Sequence, residues 1–418
     1  MPEFRPFTAV RYPTAGDRRA DVSSKIAPPY DVLDEQPKRQ LLAGDETNIV
    51  AVDLPVTPPK TVGPDAAYGS AGELYRDWLS QGILVRDDQP GVVVYEQRFA
   101  QDGRTVNRRG LFAVLGVEDF NRPGGGIFRH EKTIAGGIGD RSKLMAATAA
   151  QLSPVFGIFP DPRQRAVTII NEVCEAGDPD FHGRTAHDGV EHRCWMVRRP
   201  QTLETLIDFF RQTDVFIADG HHRYTTALQF ARDHADLPGA DGCLFVLVAA
   251  EDPGMQVLPT HRVVCGLQDF TFSELQALLD DDPRFAWCPP DQGRFELVDP
   301  ITGDRYGLDV PGDPLEAIYP DRPGQWRSLD VAVLHELLIE RVLKPHFGGE
   351  SVTFQYTAEL DVLRGMLAED PATRLGVVMR PTPLASVMEV ARAGEVMPPK
   401  STFFYPKLAT GLVIHPLD

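Results

Sequence analysis

The sequence lacks the features of a secreted or membrane-spanning chain. It has five cysteines, an odd number, and no two of them form a CxxC motif. This pattern is more typical of a protein in a reducing compartment than of a disulfide framework. No signal peptide is recognisable at the start, and the longest apolar stretches, such as residues 243–250, are far too short to cross a bilayer. A soluble cytoplasmic protein without a membrane partner is therefore predicted.

Positive charge is also scarce. The 418 residues include 42 Lys and Arg against 60 Asp and Glu, a formal net charge of −18. Such an anion repels the phosphates of nucleic acids and acidic lipid surfaces, so nucleic-acid binding is disfavoured unless a local basic patch overrides the net charge. The expected partner is a small-molecule substrate. The apolar content of 42% is that of a globular chain and excludes a mainly disordered one. The oligomeric state is left open.

Hydrophobic periodicity predicts an α+β fold in four segments. These are a loop-rich segment (1–91), a core (92–269), an inserted lobe (270–328) and a C-terminal segment (329–418) that completes the site. Alternation and an Asp-Gly turn predict a hairpin, and apolar spacing predicts several helices. The ranges are 92–99 and 109–117 for the hairpin, 154–159 for a strand, and 71–81, 141–151, 203–212 and 329–343 for helices, the last ending before Lys344-Pro345.

The clearest local unit is a strand, a polar turn, a helix and a buried strand between residues 214 and 250. The turn carries Asp219, Gly220, His221, His222, Arg223, Thr225 and Thr226. Free N–H groups at a helix start attract anions, Arg223 can bind two phosphate oxygens, and Asp219 can hold Mg²⁺ or act as a base. The alternative is that Asp219 caps the helix and the histidines are structural. Zinc is disfavoured, because adjacent histidines point apart.

Three further polar clusters and one N-terminal pair are candidates for the same site. In the first, Glu131 is a candidate base, Arg129, His130 and Arg141 are candidate substrate residues, and the AGGIG segment between them suggests a mobile loop. His261 and Arg262 are a second candidate substrate contact. A proline-framed loop predicts phosphate binding by Lys400, Ser401 and Thr402. Tyr30 and Asp31 complete the candidate substrate set. A solvated or structural loop is the alternative for each.

The ordered set of motifs resembles one bacterial and archaeal family over essentially the whole chain. The motifs are IAPPYDV, RHEKT with a following DR, SPVF, IADGHHRYTTA, LPTHR and MPPKSTFFYPKLATGLV. The family is known as domain of unknown function 1015. Its members are often encoded beside serine-biosynthesis genes, which implies serine or phosphoserine as substrate.

The Asp219–Arg223 turn also resembles the phosphate-binding turn of the ParB/sulfiredoxin-like superfamily, which includes free-serine kinases. This resemblance implies a ParB/sulfiredoxin-like mixed α/β core with additional α/β lobes. It also implies phosphate contacts for Gly220, His222 and Arg223, and a metal or acid–base role for Asp219. His221 stands where sulfiredoxins need a cysteine, so sulfinic acid repair is disfavoured. No basic helix-turn-helix follows, which disfavours DNA partitioning.

Two functions remain open at this point. The first is phosphotransfer on a small hydroxylated metabolite such as serine or phosphoserine, as kinase, phosphatase or phosphotransferase. It would use Asp219, His222 and Glu131 catalytically, with Mg²⁺ and ADP, ATP or CTP as cofactors. The second is a non-catalytic nucleotide-binding regulatory protein of ParB-like ancestry that uses the same turn.

Overall fold

The chain folds into two compact units, each containing helices and β-sheet. A computed structural model describes residues 1–14, 20–122 and 124–418. Unit 1 comprises Met1–Gln256 and Pro406–Asp418, and unit 2 comprises Val257–Tyr405. The predicted α+β class is confirmed. The division into four segments stays a prediction.

In the described residues, unit 1 is built on a mixed ten-stranded sheet that carries the predicted hairpin at its centre. The hairpin strands are longer than predicted and pair antiparallel, and Gly242–Ala249 lies next to them, buried along its whole length. Nine strands are adjacent in the order Ala20–Asp21, Phe181–Arg184, Glu191–Val197, Val92–Gln101, Arg104–Gly116, Gly242–Ala249, Val155–Phe159, Val215–Asp219 and Ile127–Phe128, and Phe4–Arg5 pairs with Arg104–Gly116.

Two short strand pairs and a set of helices complete the described part of unit 1. The pairs are Val10–Arg11 with Val85–Arg86, and Ala150–Gln151 with His415–Pro416. The helices are Tyr30–Val32 (a 3-10 turn), Glu35–Gly44, Val50–Asp53, Asp65–Ser80, Ala135–Thr148, Arg165–Glu175, Pro200–Phe210 and His221–Asp233. Apolar side chains of the central strands and of the last three helices share one buried cluster, which holds the start of His221–Asp233 against the sheet.

Unit 2 is built on an antiparallel six-stranded sheet. Its strand order is Ala286–Cys288, Arg305–Asp309, Phe295–Val298, Leu375–Met379, His261–Cys265 and Thr353–Thr357. Gln256–Leu258 and Phe403–Tyr405 pair where the chain enters and leaves this unit. The helices are Phe272–Asp280, Gly324–Arg327, Asp330–Val333, Leu334–Leu343 (a π-helix), Lys344–Phe347, Gly349–Ser351 (a 3-10 turn), Leu360–Glu369 and Leu384–Arg392.

Two predictions of local structure are wrong. The AGGIG segment is not a loop, because it forms the first turns of the helix Ala135–Thr148. Glycine is present there because the helix packs closely against the backbone of Lys60 and the side chains of Val62 and His222. The helix predicted over 329–343 does not stop before Pro345. It continues to Phe347, because the hydrogen-bond register changes at Lys344 and proline is tolerated in the first turn of a new helical register.

No described helix is both long enough and apolar enough to span a bilayer.

Candidate functional site

The candidate site lies in unit 1, where the strand Val215–Asp219 passes into the helix His221–Asp233. Gly220 forms the connection with a positive φ of 93°. A Cβ at this position would lie 2.9 Å from Nε of Arg223, which is closer than real Cβ contacts. Only glycine therefore allows both the left-handed turn and the return of Arg223 over it.

Asp219 is flanked by two cationic side chains. The Lys407 ammonium donates to Oδ1 of Asp219 at 3.0 Å, and Nη2 of Arg223 donates to Oδ2 at 2.7 Å. Nη1 of Arg223 donates to the carbonyl of Pro154. The alternative in which Asp219 caps the helix is wrong, because Gly220 occupies the cap position. The three side chains leave one net positive charge beside the start of a helix.

The two cations keep Asp219 ionised. Burial raises the pKa of this carboxyl, but the charges of Lys407 and Arg223 outweigh burial and hold the pKa below its ordinary value. A carboxylate with so low a pKa is a weak base at neutral pH. The geometry therefore suits Asp219 to holding the two cations in place.

A buried polar chain fixes the backbone that carries Lys407. Nε of Arg108 donates to Oε1 of Gln97 at 3.0 Å, and Nε2 of Gln97 donates to the carbonyl of Lys407 at 2.9 Å. Nη2 of Arg108 also donates to the carbonyl of Pro406 at 2.5 Å. Because these groups are buried, the ammonium of Lys407 is presented from a rigid support.

His221 is the first residue of the helix and is almost wholly buried. Its Nε2 lies 3.4 Å from the backbone N–H of His130, which donates to it, and its Nδ1 lies 3.5 Å from Oε2 of Glu131. Burial and the neighbouring His130 hold the pKa of His221 well below its usual value. The imidazole is therefore neutral, and the proton on Nδ1 faces the partly exposed carboxylate of Glu131.

His222 is held by the chain that follows the RHEKT motif. The backbone N–H of Ile134 donates to Nε2 of His222 at 2.9 Å, so Nδ1 carries the ring proton. Burial lowers the pKa of this imidazole. A Cβ at Gly137 would lie 2.9 Å from Cδ2 of His222, which explains why glycine stands in a helix at this point.

This contact leads to a stability prediction. We expect Gly137→Ala to lower the free energy of unfolding relative to Gly69→Ala by about 1–3 kcal/mol, because the added methyl group overpacks the imidazole of His222. Gly69 is the matched control, since it lies within the helix Asp65–Ser80 and a methyl group added there would have no atom within 4 Å. Urea denaturation of both variants measures the difference. Equal stabilities would contradict the close packing.

A second prediction concerns the pH dependence of stability. Burial lowers the pKa of His130 to about 4, of His192 to about 3 and of His415 to about 4. Unfolded histidine titrates near 6.5, so the stability that the neutral rings contribute is present above that pH and is lost as the pH falls towards about 4. At pH 5, we expect each of these three rings to lower the free energy of unfolding by about 2 kcal/mol relative to its value above pH 6.5.

One carboxyl opposes this trend. Burial raises the pKa of Asp252 to about 6, so its protonated form favours the fold as the pH falls, by about 1 kcal/mol at pH 5. Urea unfolding at pH 7, 6 and 5 measures the net effect, which we expect to be a progressive loss of stability. A protein as stable at pH 5 as at pH 7 would show that the three histidines are not buried in neutral form.

Arg141 lies among buried carboxylates. Its Nε donates to Oδ2 of Asp140 at 2.7 Å, and its Nη1 donates to the carbonyl of Asp53 at 2.7 Å. The guanidinium carbon lies 3.9 Å from the ring centroid of Tyr30. The predicted substrate residues Tyr30 and Arg141 are thus in contact with each other, and both are buried.

A small cavity of about 40 Å³ separates Arg141 from Arg223. Asp53, Ser153 and Cys243 also line it. A water molecule needs roughly 10–15 Å³ by the same measure, so the cavity has room for a few water molecules but not for a nucleotide. A nucleotide at the turn would have to lie outside this cavity.

The remaining predicted residues of unit 1 lie around the turn. Oδ2 of Asp31 is 3.3 Å from the ammonium of Lys60, whose charge also lowers the pKa of His222. The guanidinium carbon of Arg129 lies 4.7 Å from the ring centroid of Phe120, and its charge lowers the pKa of His221. Asp31 and Arg129 therefore border the histidine pair.

The two threonines lie deeper than predicted. They belong to the second turn of the helix, and Thr226 is wholly buried. The hydroxyl oxygens of Thr225 and Thr226 are both buried and make no hydrogen bond within the described parts of the chain. The backbone N–H groups at the helix start and the side chains before it are therefore better placed than Thr226 to meet a ligand.

The five other predicted residues belong to unit 2. His261 accepts a hydrogen bond at Nδ1 from the backbone N–H of Met379 at 3.1 Å. Nη2 of Arg262 donates to the carbonyl of Lys400 at 3.0 Å, so the structure brings the LPTHR and MPPKST motifs together. The hydroxyl of Ser401 donates to the carbonyl of Pro398, and Thr402 follows in the same loop. Their predicted participation in one site with Asp219 stays a prediction.

Sequence reasoning placed Lys407 in the closing proline-framed loop without giving it a role, and it missed Lys60 and Asp53. In the sequence Lys407 is only one residue of a basic loop, although it supplies a cation to Asp219. Lys60 and Asp53 carry no signal, because they lie in loop or short helical segments without a distinctive spacing. The YPK triplet of the closing motif is the one signal that could have identified Lys407.

The residues at the turn do not form a preformed Mg²⁺ site. Among the residues that the structure describes, no group of three or more His, Cys, Asp or Glu side chains is arranged to hold a metal ion. Both carboxylate oxygens of Asp219 already accept from cations. The donor set therefore does not fit the predicted metal role of Asp219.

The fold and this polar turn define an α+β protein with a small cationic site at a strand-to-helix junction. The family model described as "Protein of unknown function (DUF1015)" matches residues 4–332. The chain belongs to this family. A search of curated proteins found no match.

Solved structures show only a distant likeness. A mutant of free serine kinase in complex with AMP is 14% identical, with 68% of this chain and 89% of that chain covered and a TM-score of 0.34. A conserved hypothetical protein from Pyrococcus furiosus is 14% identical, with 68% and 92% covered and a TM-score of 0.32. C-terminally truncated SbnI from Staphylococcus aureus is 11% identical, with 70% and 84% covered and a TM-score of 0.35. A likeness at this level supports no functional conclusion.

Proposed function

We propose that the protein transfers a phosphoryl group to or from a small hydroxylated metabolite, and that the phosphate binds at the Asp219–Thr226 turn. The observation that carries the proposal is the placement of Lys407 and Arg223 on either side of Asp219, beside the start of a helix. Phosphoryl transfer depends mainly on positioned positive charge, which this arrangement supplies. In a chain of net charge −18, a partly exposed site with a net positive charge favours an anionic ligand.

The backbone supplies further donors to the same ligand. The first N–H groups of a helix have no partner within the helix and point towards its N-terminal end. Here they follow Gly220, over which the guanidinium of Arg223 lies, so a phosphate that reaches these N–H groups would also meet Arg223. A phosphate at this position would meet the N–H groups and the ammonium of Lys407 together.

Three side chains have separate roles in the proposal. Asp219 is a positioning residue, because it stays ionised and holds Lys407 and Arg223. Glu131 is the base that takes the proton of the attacking hydroxyl, since it is partly exposed and its carboxylate faces the neutral imidazole of His221. His222 presents a protonated Nδ1 and can donate to a phosphate oxygen. No step depends on a metal ion supplied by the protein.

Serine and O-phosphoserine are the substrates to test first, because the resemblance of the sequence implies them. Phosphorus NMR of the purified protein would follow separate mixtures of serine with ATP, ADP or CTP, and of O-phosphoserine with and without ADP, each containing Mg²⁺. New phosphorus resonances that grow with time in the wild type identify the donor and the direction of transfer.

Three outcomes are possible. Turnover that Glu131→Gln reduces by about 100-fold or more supports the proposal, since a general base contributes about 10²–10⁴ to a rate. Turnover that this variant leaves unchanged would remove Glu131 from the mechanism. Broadened nucleotide signals without new resonances would withdraw phosphotransfer for these substrates and favour a nucleotide-binding protein without turnover.

A further inference from the structure

Unit 2 contains a buried positive charge that no carboxylate of the described residues neutralises. The side chain of Arg262 belongs to the strand His261–Cys265, and the residue is only 5% exposed. Among the described residues, no Asp or Glu oxygen lies within the 4.0 Å of an ion pair with its guanidinium. Burying a charge without an opposite charge is costly, so such groups are usually paired or bind a ligand.

The hydrogen bonds of Arg262 go to neutral acceptors. Nη1 donates to the carbonyl of Thr260 at 2.6 Å, and Nη2 donates to the carbonyl of Lys400 at 3.0 Å. These bonds use two of the five N–H donors of the side chain. Burial lowers the pKa of Arg262 to about 10, which reflects the missing negative charge. Two carbonyl dipoles hold the guanidinium but leave its full charge in place.

The groups around Arg262 are suited to an oxyanion. The guanidinium carbon lies 5.7 Å from the ring centroid of Tyr356, a half-buried residue. His335 does not add to such a site, because its Nδ1 lies 3.8 Å from a carboxylate oxygen of Glu340 and 4.0 Å from one of Glu336. The buried hydroxyl oxygen of Thr260 makes no hydrogen bond within the described residues. The cation of Arg262 is thus held by the carbonyl of a residue whose own hydroxyl group is unused.

The backbone at Lys400 is held in an unusual conformation by Arg262. Lys400 has a φ of 56°, in the left-handed region that non-glycine residues rarely adopt, and its side chain is exposed. The hydrogen bond from Arg262 to the carbonyl of Lys400 holds the loop in this strained conformation. The loop therefore presents a second cation at the surface of unit 2, joined to Arg262 through one peptide group.

We infer that Arg262, with Thr260 and Tyr356, forms a binding site in unit 2 for a small oxyanion, a carboxylate or a phosphoryl group. The alternative is that Arg262 has a purely structural role, in which it only donates hydrogen bonds to the carbonyl groups of Thr260 and Lys400. The two differ in one observable respect. A ligand on the free N–H groups changes the peptide that Arg262 binds, whereas a purely structural arginine gives no response to an added anion.

One NMR sample reports on that peptide alone. Thr260–His261 is the only Thr-His dipeptide in the sequence, so protein labelled with ¹³C-carbonyl threonine and ¹⁵N histidine gives a single carbonyl-coupled amide signal. Its carbonyl is the acceptor for Nη1 of Arg262. Inorganic phosphate and acetate are titrated separately into the full-length protein, with sodium chloride at matched ionic strength as the control.

We expect a saturable shift of this signal with phosphate, with acetate or with both, and none with chloride. The anion that shifts it identifies the ligand as phosphoryl or carboxylate. Arg262→Lys should weaken the apparent affinity by at least 10-fold, because a lysine lacks the planar two-donor geometry. Arg380→Lys, which changes an exposed arginine of the same unit, should leave the response unchanged. No shift in the wild type, or an equal shift with chloride, would overturn the inference even if Arg262→Lys failed to fold.

Discussion

Asp219→Asn is expected to lower the rate of phosphoryl transfer by about 100-fold or more, because small misplacements of positioning groups cost rate factors of this size. The neutral amide cannot hold both Lys407 and Arg223, which each donate to one oxygen of the carboxylate. The affinity for phosphate should stay the same or rise, since the two cations remain and the negative charge beside them is removed. Steady-state kinetics and calorimetric titration with phosphate measure the two effects separately.

Asp208→Asn is the matched control for this experiment. Asp208 is an exposed carboxylate in unit 1, paired with Arg211 on a helix surface, and its replacement should change neither quantity. A fall in phosphate affinity with an unchanged rate in Asp219→Asn would contradict the positioning role. It would instead indicate that the Asp219 carboxylate contributes to binding the ligand.

Arg141→Met is expected to lower the free energy of unfolding by about 3–5 kcal/mol, the cost of removing one partner from a buried ion pair. The guanidinium bridges Asp53 and Asp140, which are both almost wholly buried. Without it, Asp53 and Asp140 lose the cation that contacts them both, and the charge of Arg223 acts on Asp53 without a hydrogen bond to it. Urea denaturation at pH 7 measures the loss.

The pH dependence of this variant gives an independent check. Burial already raises the pKa of Asp53 in the intact protein, and removal of Arg141 should raise it further. A carboxyl whose folded pKa is raised destabilises the fold as the pH rises, so the variant should lose more at pH 8 than at pH 5. Lys143→Met is the control on the same helix, because its pair with Asp65 is exposed and should contribute about 1 kcal/mol or less. If Arg141→Met lowered the free energy of unfolding by only about 1 kcal/mol as well, the buried interaction of Arg141 with Asp53 and Asp140 would be contradicted.

Much of the fold could be predicted from the sequence, because alternation and helical spacing report local burial. The hairpin, the strand at 155–159 and the strand–turn–helix–strand unit were predicted correctly. The helix Ala135–Thr148 was misassigned at its start, because glycine usually indicates a loop. Gly137 packs closely against His222, a contact between residues 85 positions apart in the sequence that no local pattern reveals. The continuation of the helix through Pro345 was not predicted either, because a proline in the sequence usually indicates the end of a helix.

The site was predictable in its residues but only partly in its pairings. The motif placed Asp219, His221, His222 and Arg223 at one turn, and the structure agrees. Sequence could not show that Arg223 turns back onto Asp219, or that Lys407 arrives from the end of the chain. The ionisation of Asp219 depends on these long-range pairs, so the positioning role that we propose for it could not be inferred from the sequence.

The most direct test of the central claim is whether phosphate binds at the start of the helix His221–Asp233. Gly220–His221 is the only Gly-His dipeptide in the sequence, so ¹³C-carbonyl glycine with ¹⁵N histidine isolates the amide signal of His221. Phosphate should move this signal saturably in the wild type, and Lys407→Met should weaken that response by at least 10-fold, with chloride inert in both. An amide of His221 that is indifferent to phosphate would show that the turn is not a phosphate site, and the proposed phosphotransfer would lose its basis.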